Sequence, residues 1–176
     1  MKRFIAFAFA FSFAGNLLAQ AYPAKPVRLL VGFGAGGPTD VIARYVAQDL
    51  TASMGQSVIV ENRPGANAII ATEAVARSNP DGYTLLFSSL SLLVNPLLPG
   101  TKANYDPFKD FAPISNTANL PMVVVTAAAS PISSMRDLVA QAKAKPGELS
   151  YATSGNGGST HLAGAMLEIM TGTKMI

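Results

Sequence analysis

The stretch Val27–Asp40, VRLLVGFGAGGPTD, contains the pattern that decides the fold. Its apolar start, Val27–Phe33, predicts a buried strand, and three glycines follow within the next four positions. Apolar residues then recur at helical spacing from Val41 to Leu50, and Gly55 is placed to end that helix. A strand that runs through glycines into a helix predicts the first unit of an α/β fold.

The next segments repeat this alternation of strand and helix. Val58–Glu61 and Thr84–Ser88 predict two further strands, and Ile69–Arg77 predicts the helix between them. Asn62–Ala66 (NRPGA) and Asn79–Gly82 (NPDG) supply the turns. The sequence therefore predicts a parallel sheet with helices on its faces.

Prolines loosen the pattern over Ser89–Asn119, where we expect short helices and loops. Met122–Thr126 (MVVVT) then predicts a buried strand. The next helix is predicted over Met135–Ala144, with Ser134 and Asp137 at the spacing of a capping box.

A second unit of strand, glycine turn and helix closes the chain. Leu149–Thr153 predicts the strand, Ser154–His161 (SGNGGSTH) the turn, and Leu162–Met170 the helix. The methionines of the later segments occupy apolar patterns and are predicted to lie in the core, namely Met122, Met135, Met166, Met170 and Met175.

The two glycine turns are the predicted binding site. A strand that ends in glycines and opens a helix leaves backbone N–H groups pointing at one spot, where the helix adds about half a positive charge. Such a corner binds phosphate, sulfate or carboxylate. Gly34, Ala35, Gly36 and Gly37 would form the first corner, and the second would use Ser154, Gly155, Asn156, Gly157, Gly158, Ser159 and Thr160. Asp40 is expected mainly to hold the first loop through backbone N–H groups, and to contact the ligand second.

The first residues predict export. Residues 1–21 carry Lys2 and Arg3, then an apolar stretch and small residues at its end, as in a signal peptide cleaved after Ala21. Without those two cations, 11 basic residues remain against 10 acidic ones, and the net charge falls from +3 to +1. No basic run interleaves with aromatic residues, so no nucleic-acid partner is predicted. There are 0 cysteines, which leaves neither disulfides nor thiolate chemistry.

Enzymatic alternatives have weaker support. Gly32, Gly34 and Gly37 show the spacing of a dinucleotide-binding fingerprint, with Glu61 placed as a ribose-binding acid, so a dinucleotide-binding oxidoreductase is the alternative. A serine hydrolase is disfavoured because the single histidine, His161, lies two positions from Ser159 at a helix start. No His, Asp and Glu cluster has metal-ligand spacing. We predict no catalytic residues, no metal and no cofactor.

Four segments in this order closely resemble the solute receptors of tripartite tricarboxylate transporters, the Bug family. They are YPAKPVRLLVGFGAGGPTD (22–40), VIVENRPGANAIIATEAVARSNPDGYTLLFSS (58–89), DFAPIS (110–115) and KPGELSYATSGNGGSTHLAGAMLE (145–168). The resemblance implies a two-domain periplasmic binding protein of the Venus-flytrap kind. Such a protein captures a small carboxylate in the periplasm and passes it to the membrane permease subunits of its transporter.

The resemblance also implies the ligand-binding residues and the domains. Phe33–Gly37 would form the turn of one domain and Ser154–His161 that of the other, while Ser88 and Ser89 match a further ligand-facing loop. Residues 22–125 would belong to domain 1 and residues 126–176 to domain 2. Family members are longer than this chain, so the fold is expected to be incomplete and ligand binding weak or absent. The run after Pro64-Gly65 is also poorer in glycine than in the family, which weakens any role for Asn67.

Overall fold

The computed structural model describes residues 22–176, and the predicted signal peptide lies outside them. The elements in chain order are β1 (Val27–Val31), α1 (Pro38–Met54), β2 (Val58–Asn62), α2 (Ile69–Ala76), β3 (Thr84–Phe87), α3 (Ser91–Val94), α4 (Met135–Ala144) and α5 (Ser159–Thr171), with 3-10 turns at Ala66–Ala68 and Asn95–Leu97. None of the helices within residues 22–176 is long and apolar enough to span a bilayer.

The three strands form a parallel sheet in the order β2-β1-β3. The chain therefore moves from β1 to one neighbour and then crosses to the other side of β1. Right-handed crossovers in opposite directions place their helices on opposite faces of a sheet. α1 packs on β1 and β2, and α2 packs on β3 and β1. This confirms the predicted parallel α/β sheet.

The core lies between β1 and α1. Val27, Leu29 and Val31 alternate along β1 on the face that packs against Ala43 and Ala47. The small alanine side chains allow the helix to lie close to the branched side chains of the strand. Burying each of the larger aliphatic side chains stabilises the fold by roughly 1.5–3 kcal/mol.

Both predicted helix signals act as expected. Gly55 ends α1 in the left-handed conformation (φ 68°), and its N–H donates to the Thr51 carbonyl at 3.1 Å. At the start of α4, the Asp137 N–H donates to Ser134 Oγ at 3.2 Å, which confirms the predicted cap.

Met122–Thr126 is not a strand, and this prediction was wrong. The segment forms no ladder, and Met122 through Val125 are 54 to 82% exposed. Apolar β-branched residues favour a strand only where a neighbouring strand supplies hydrogen-bond partners and cover. Within residues 22–176 no strand lies beside this one.

The prediction of a strand over Leu149–Thr153 was also wrong, because none of these residues lies in a strand. Instead, the segment begins a parallel pairing with the residues at 174–176. The Ile176 N–H donates to the Leu149 carbonyl and the Tyr151 N–H to the Ile176 carbonyl, each at 2.8 Å. Core positions were likewise wrongly predicted for four methionines, which are exposed: Met122, Met135, Met166 and Met170.

Candidate functional site

The candidate site begins at the carboxyl edge of the sheet. Val31, the last residue of β1, lies opposite Asn62 on one side and Phe87 on the other. The loops after β1 and β3 therefore leave the same edge and flank the point where the strand order reverses. In open α/β sheets, ligands bind at this point.

The first glycine turn leaves this edge and is held by Asp40. The Gly36 N–H donates to Asp40 Oδ2 at 2.8 Å, and the Gly37 N–H donates to the Gly34 carbonyl at 3.3 Å. Gly36 has φ +81°, a conformation that a residue with a Cβ adopts only with strain. The turn thus needs glycine at position 36 and an acceptor at position 40.

Asp40 itself is buried, with 2% of its surface exposed, and its carboxylate has further donors. Arg44 Nε donates to Oδ2 at 2.9 Å, and Asn62 Nδ2 donates to Oδ1 at 2.7 Å. The hydrogen bond from Arg44, followed by those from Gly36 and Asn62, holds the pKa of the Asp40 carboxyl far below its usual range. Asp40 therefore holds the loop through a backbone N–H group, which is the first of the two roles expected for it.

Several amides of the first turn remain open. The N–H groups of Gly34, Ala35 and Thr39 make no hydrogen bond to any other group within residues 22–176. They precede or begin α1, where the helix dipole is positive. Phe33 belongs to the same turn, and its carbonyl accepts from Asn62 Nδ2 at 3.1 Å.

The second glycine turn repeats this geometry. The Gly158 N–H donates to the Gly155 carbonyl at 3.1 Å, and the Gly157 N–H donates to His161 Nδ1 at 3.1 Å. Gly157 has φ +74°, close to the +81° of Gly36. Sequence spacing is shared as well, because residues 34–40 read GAGGPTD and residues 155–161 read GNGGSTH.

The second turn has an additional side-chain clamp. The Ser154 N–H donates to Thr160 Oγ1 at 3.0 Å, and the two hydroxyl groups lie 2.9 Å apart. The amides of Asn156 and Ser159 and the hydroxyl of Ser159 make no hydrogen bond to the part of the chain that is described. His161 stabilises the turn through its hydrogen bond with the Gly157 N–H.

Ser88 and Ser89 directly follow β3, whose last residue, Phe87, lies opposite Val31 at the end of β1. Ser88 Oγ is buried and has no hydrogen-bond partner in residues 22–176. Ser89 Oγ lies 3.2 Å from Ser91 Oγ, at the start of α3. An unpaired buried hydroxyl is uncommon in folded proteins, so Ser88 remains a candidate ligand-binding residue at this edge of the sheet.

The second turn lies against the turn that follows β2. A Cβ on Gly157 would come within 3.4 Å of Asn67 Nδ2. Next to this contact is a cavity of about 410 Å³, and its lining includes Asn67, Asn95, Lys102 and Asn156. Of the residues predicted to bind ligand, Asn156 lines this cavity, and no residue of the first turn does.

Asn67 has a structural role that its sequence context did not predict. It lies in a run of three residues with positive φ, Ala66 (46°), Asn67 (52°) and Ala68 (72°). Asn67 Nδ2 donates to Asn95 Oδ1, and Asn95 Nδ2 donates to the Asn67 carbonyl, each at 2.8 Å. Since Asn95 is only 1% exposed, this reciprocal pair is a fixed part of the fold. The signal available in the sequence was an Asn, a residue that tolerates the left-handed region, directly after Pro-Gly-Ala.

Glu61 occupies an ion-pair network. Arg28 donates to its two carboxylate oxygens at 2.6 and 2.8 Å, and Arg63 Nη2 lies 3.4 Å from one of them. The hydrogen bond from Arg28 is the largest cause of a lowered pKa of the Glu61 carboxyl. The arginines thus engage Glu61, which the dinucleotide-binding alternative would need as a ribose-binding acid.

Comparison with known proteins assigns the family. The model of the tripartite tricarboxylate transporter family receptor matches residues 42–176. The chain belongs to this receptor family. The predicted resemblance to the Bug family is thereby confirmed.

Relatives within the receptor family support the assignment. Protein BugT of Bordetella pertussis is 40% identical over 165 residues, which cover 90% of this chain and 49% of BugT. A UPF0065 protein of Bordetella bronchiseptica is also 40% identical, over 158 residues that cover 90% of this chain and 47% of that protein. The chain thus spans about half the length of these curated relatives.

Solved structures of receptor-like proteins share the fold. A structure described as a periplasmic transporter matches with a TM-score of 0.81 and 40% identity, over 89% of this chain and 52% of that one. An R. palustris protein solved with adipate matches with a TM-score of 0.80 and 34% identity, over 88% and 52%. The periplasmic binding protein BugD matches with a TM-score of 0.76 and 35% identity, over 88% and 52%. These matches confirm an α/β fold of the periplasmic binding protein kind, present here in part.

Proposed function

We propose that this chain captures a small carboxylate in the periplasm and passes it to the membrane permease subunits of a tripartite tricarboxylate transporter. It performs no bond chemistry. The observation that carries this proposal is the repetition of one glycine turn at two helix starts, each with backbone amides that have no partner within residues 22–176.

The open amides suit a carboxylate. Ala35 and Thr39 in the first turn and Asn156 and Ser159 in the second offer N–H donors beside the positive end of a helix dipole. Backbone donors fixed by the turns keep their direction without losing side-chain entropy on binding. The relative solved with adipate supports a carboxylate as the ligand class.

Two separate turns also imply two domains. We propose that residues 22–125 and residues 126–176 belong to different domains, and that closure of the domains traps the ligand between the turns. Ligand contacts are proposed for the full predicted set: Phe33, Gly34, Ala35, Gly36, Gly37, Asp40, Ser88, Ser89, Ser154, Gly155, Asn156, Gly158, Ser159, Thr160 and His161.

A dinucleotide-binding oxidoreductase fits the site less well. In the first turn, the Asp40 carboxylate already accepts the Gly36 N–H that a pyrophosphate would use. The acid at the end of β2, Glu61, is engaged by Arg28 and Arg63. Family membership, which is shared with receptors, also favours the carboxylate-binding function.

The proposal is tested by thermal-shift and isothermal titration of the mature chain with adipate, benzoate and reduced nicotinamide dinucleotide. We expect weak stabilisation by a carboxylate and none by the dinucleotide. Stabilisation by the dinucleotide alone would refute the receptor function.

A side-chain test of the second turn accompanies this screen. The Ser159 hydroxyl has no partner within residues 22–176, so Ser159→Ala should weaken carboxylate binding without lowering stability. Ser150→Ala is the matched control, because Ser150 is exposed and lies just before the turn. Equal effects of the two substitutions on binding would contradict a role for the Ser159 hydroxyl.

A further inference from the structure

The two glycine turns differ in the side chain that accepts from the middle glycine. In the first turn, Asp40 Oδ2 accepts from the Gly36 N–H at 2.8 Å. In the second, His161 Nδ1 accepts from the Gly157 N–H at 3.1 Å. The position and the task are the same, but the acceptor is a carboxylate in one turn and an imidazole in the other.

This difference changes the charge at the helix start. Asp40 places a negative charge in the first turn of α1, where it compensates the positive end of the helix dipole. His161 accepts through Nδ1, and an imidazole nitrogen that accepts a hydrogen bond brings no negative charge. The start of α5 therefore keeps the positive potential that Asp40 reduces at α1.

The partner of Asp40 is also absent from the second turn. Arg44 follows Asp40 by four positions and forms an ion pair with it at 2.9 Å. The corresponding position after His161 is Ala165. The first turn thus contains a carboxylate acceptor held by a half-exposed arginine, while the second contains neither member of this ion pair.

The surroundings of the second turn increase this contrast. The cavity that reaches Asn156 is lined by one cation, Lys102, and by no acidic residue. A carboxylate that approaches Asn156 and Ser159 meets a cation and a helix dipole, with no opposing charge among the residues that line the cavity.

We propose that His161 is a specificity-determining residue that makes the second turn the carboxylate end of the site. The first turn then takes the less charged end of the ligand. This inference rests on the proposed function, and His161 acts through the charge and shape of its turn.

The experiment follows backbone amides by NMR in the ¹⁵N-labelled mature chain, titrated with propionate and with neutral propionamide. Propionate should shift the amide signals of Asn156 and Ser159 more than those of Ala35 and Thr39. Propionamide should produce no such difference between the two turns. Equal or larger propionate shifts in the first turn would overturn the inference but leave the proposed function standing. Absence of shifts in both turns, with adipate as well, would overturn the proposed function itself.

Two isosteric variants separate charge from structure. His161→Asp and His161→Asn each leave a side-chain oxygen that can accept the Gly157 N–H. The two new side chains have nearly the same size and shape, so the variants differ mainly in charge. We expect the Asp variant to bind propionate at least about tenfold more weakly than the Asn variant, as a charge at a partly buried helix start implies. The spectra also report whether each variant is folded.

The reciprocal change in the first turn keeps the inference testable if the Asp variant unfolds. Asp40→Asn removes the negative charge there and keeps an oxygen for the Gly36 N–H. The propionate-induced shifts of Ala35 and Thr39 should then grow severalfold. Equal affinities of the two His161 variants, or no change in the first-turn response of Asp40→Asn, would refute the charge argument.

Discussion

The left-handed turn at Ala66–Ala68 predicts an unusual result, in which replacing alanine by glycine stabilises the protein. Ala66 has φ 46° and is exposed, so its methyl group contributes no burial. An alanine in the left-handed region is destabilised by roughly 1–2 kcal/mol. Glycine removes this penalty but loses about 0.4–1 kcal/mol through the greater entropy of its unfolded chain. Ala66→Gly should therefore gain about 0.5–1 kcal/mol in the free energy of unfolding.

Two alanines in other settings provide the controls. Ala68 also has positive φ (72°), but it is 2% exposed and its methyl group contacts Gly32. Ala68→Gly loses about 0.8 kcal/mol of methyl burial and should be close to neutral. Ala52 is exposed within α1, and Ala52→Gly should lower stability by about 1 kcal/mol.

Urea unfolding of the three variants, followed by circular dichroism, measures these differences directly. In thermal unfolding, Ala66→Gly should raise Tm by about 1–4 °C for a chain of this size. A decrease in stability for Ala66→Gly comparable with that of Ala52→Gly would refute the reasoning, because it would mean that position 66 carries no left-handed strain.

Three further predictions concern the sheet edge and the first turn. The pKa of Asp40 is lowered by folding, so its stabilising contribution is present above the unfolded pKa and is lost as pH falls through the folded value. In urea titrations between pH 5 and pH 2, Asp40→Asn should accordingly lose less stability than wild type, and parallel losses would contradict this. Gly36→Ala should destabilise the protein by about 1 kcal/mol or more because of its positive φ. Gly34→Ala, where the space is open and φ is ordinary, should have little effect on Tm, and equal shifts for the two glycines would argue against strain. Ser88→Ala should leave stability unchanged or raise it by up to about 1 kcal/mol, because it removes an unpaired buried hydroxyl, whereas a clear loss in urea unfolding would reveal an unseen partner.

Local sequence signals predicted the N-terminal half of the described structure well. The apolar runs of β1, β2 and β3 and the cap at Gly55 depend on neighbours in the chain or on a core that forms within the same half. The glycine turns were predictable for a similar reason. Their backbone conformations need glycine at defined positions, and the residue four positions after the middle glycine closes each turn.

Predictions for the later segments failed where the outcome depends on distant parts of the chain. Met122–Thr126 has the composition of a buried strand, but no strand pairs with it among residues 22–176. Asn67 was undervalued because its importance comes from Asn95, a residue 28 positions away, and from the approach of Gly157. Neither contact has a local signature.

The amino-acid sequence by itself determined the alternation of strands and helices, the two glycine turns and the resemblance to the receptor family. These features rest on hydrophobic periodicity and on the special conformations of glycine, which act over a few residues. Only the tertiary structure decided the pairing of Asn67 with Asn95 and the place of the second turn beside Asn67. VRLLVGFGAGGPTD predicts an anion site, but the way Asn62 reaches Asp40 and the place of the second turn are set by the fold. Those contacts arise from side chains that are distant in sequence and meet in space.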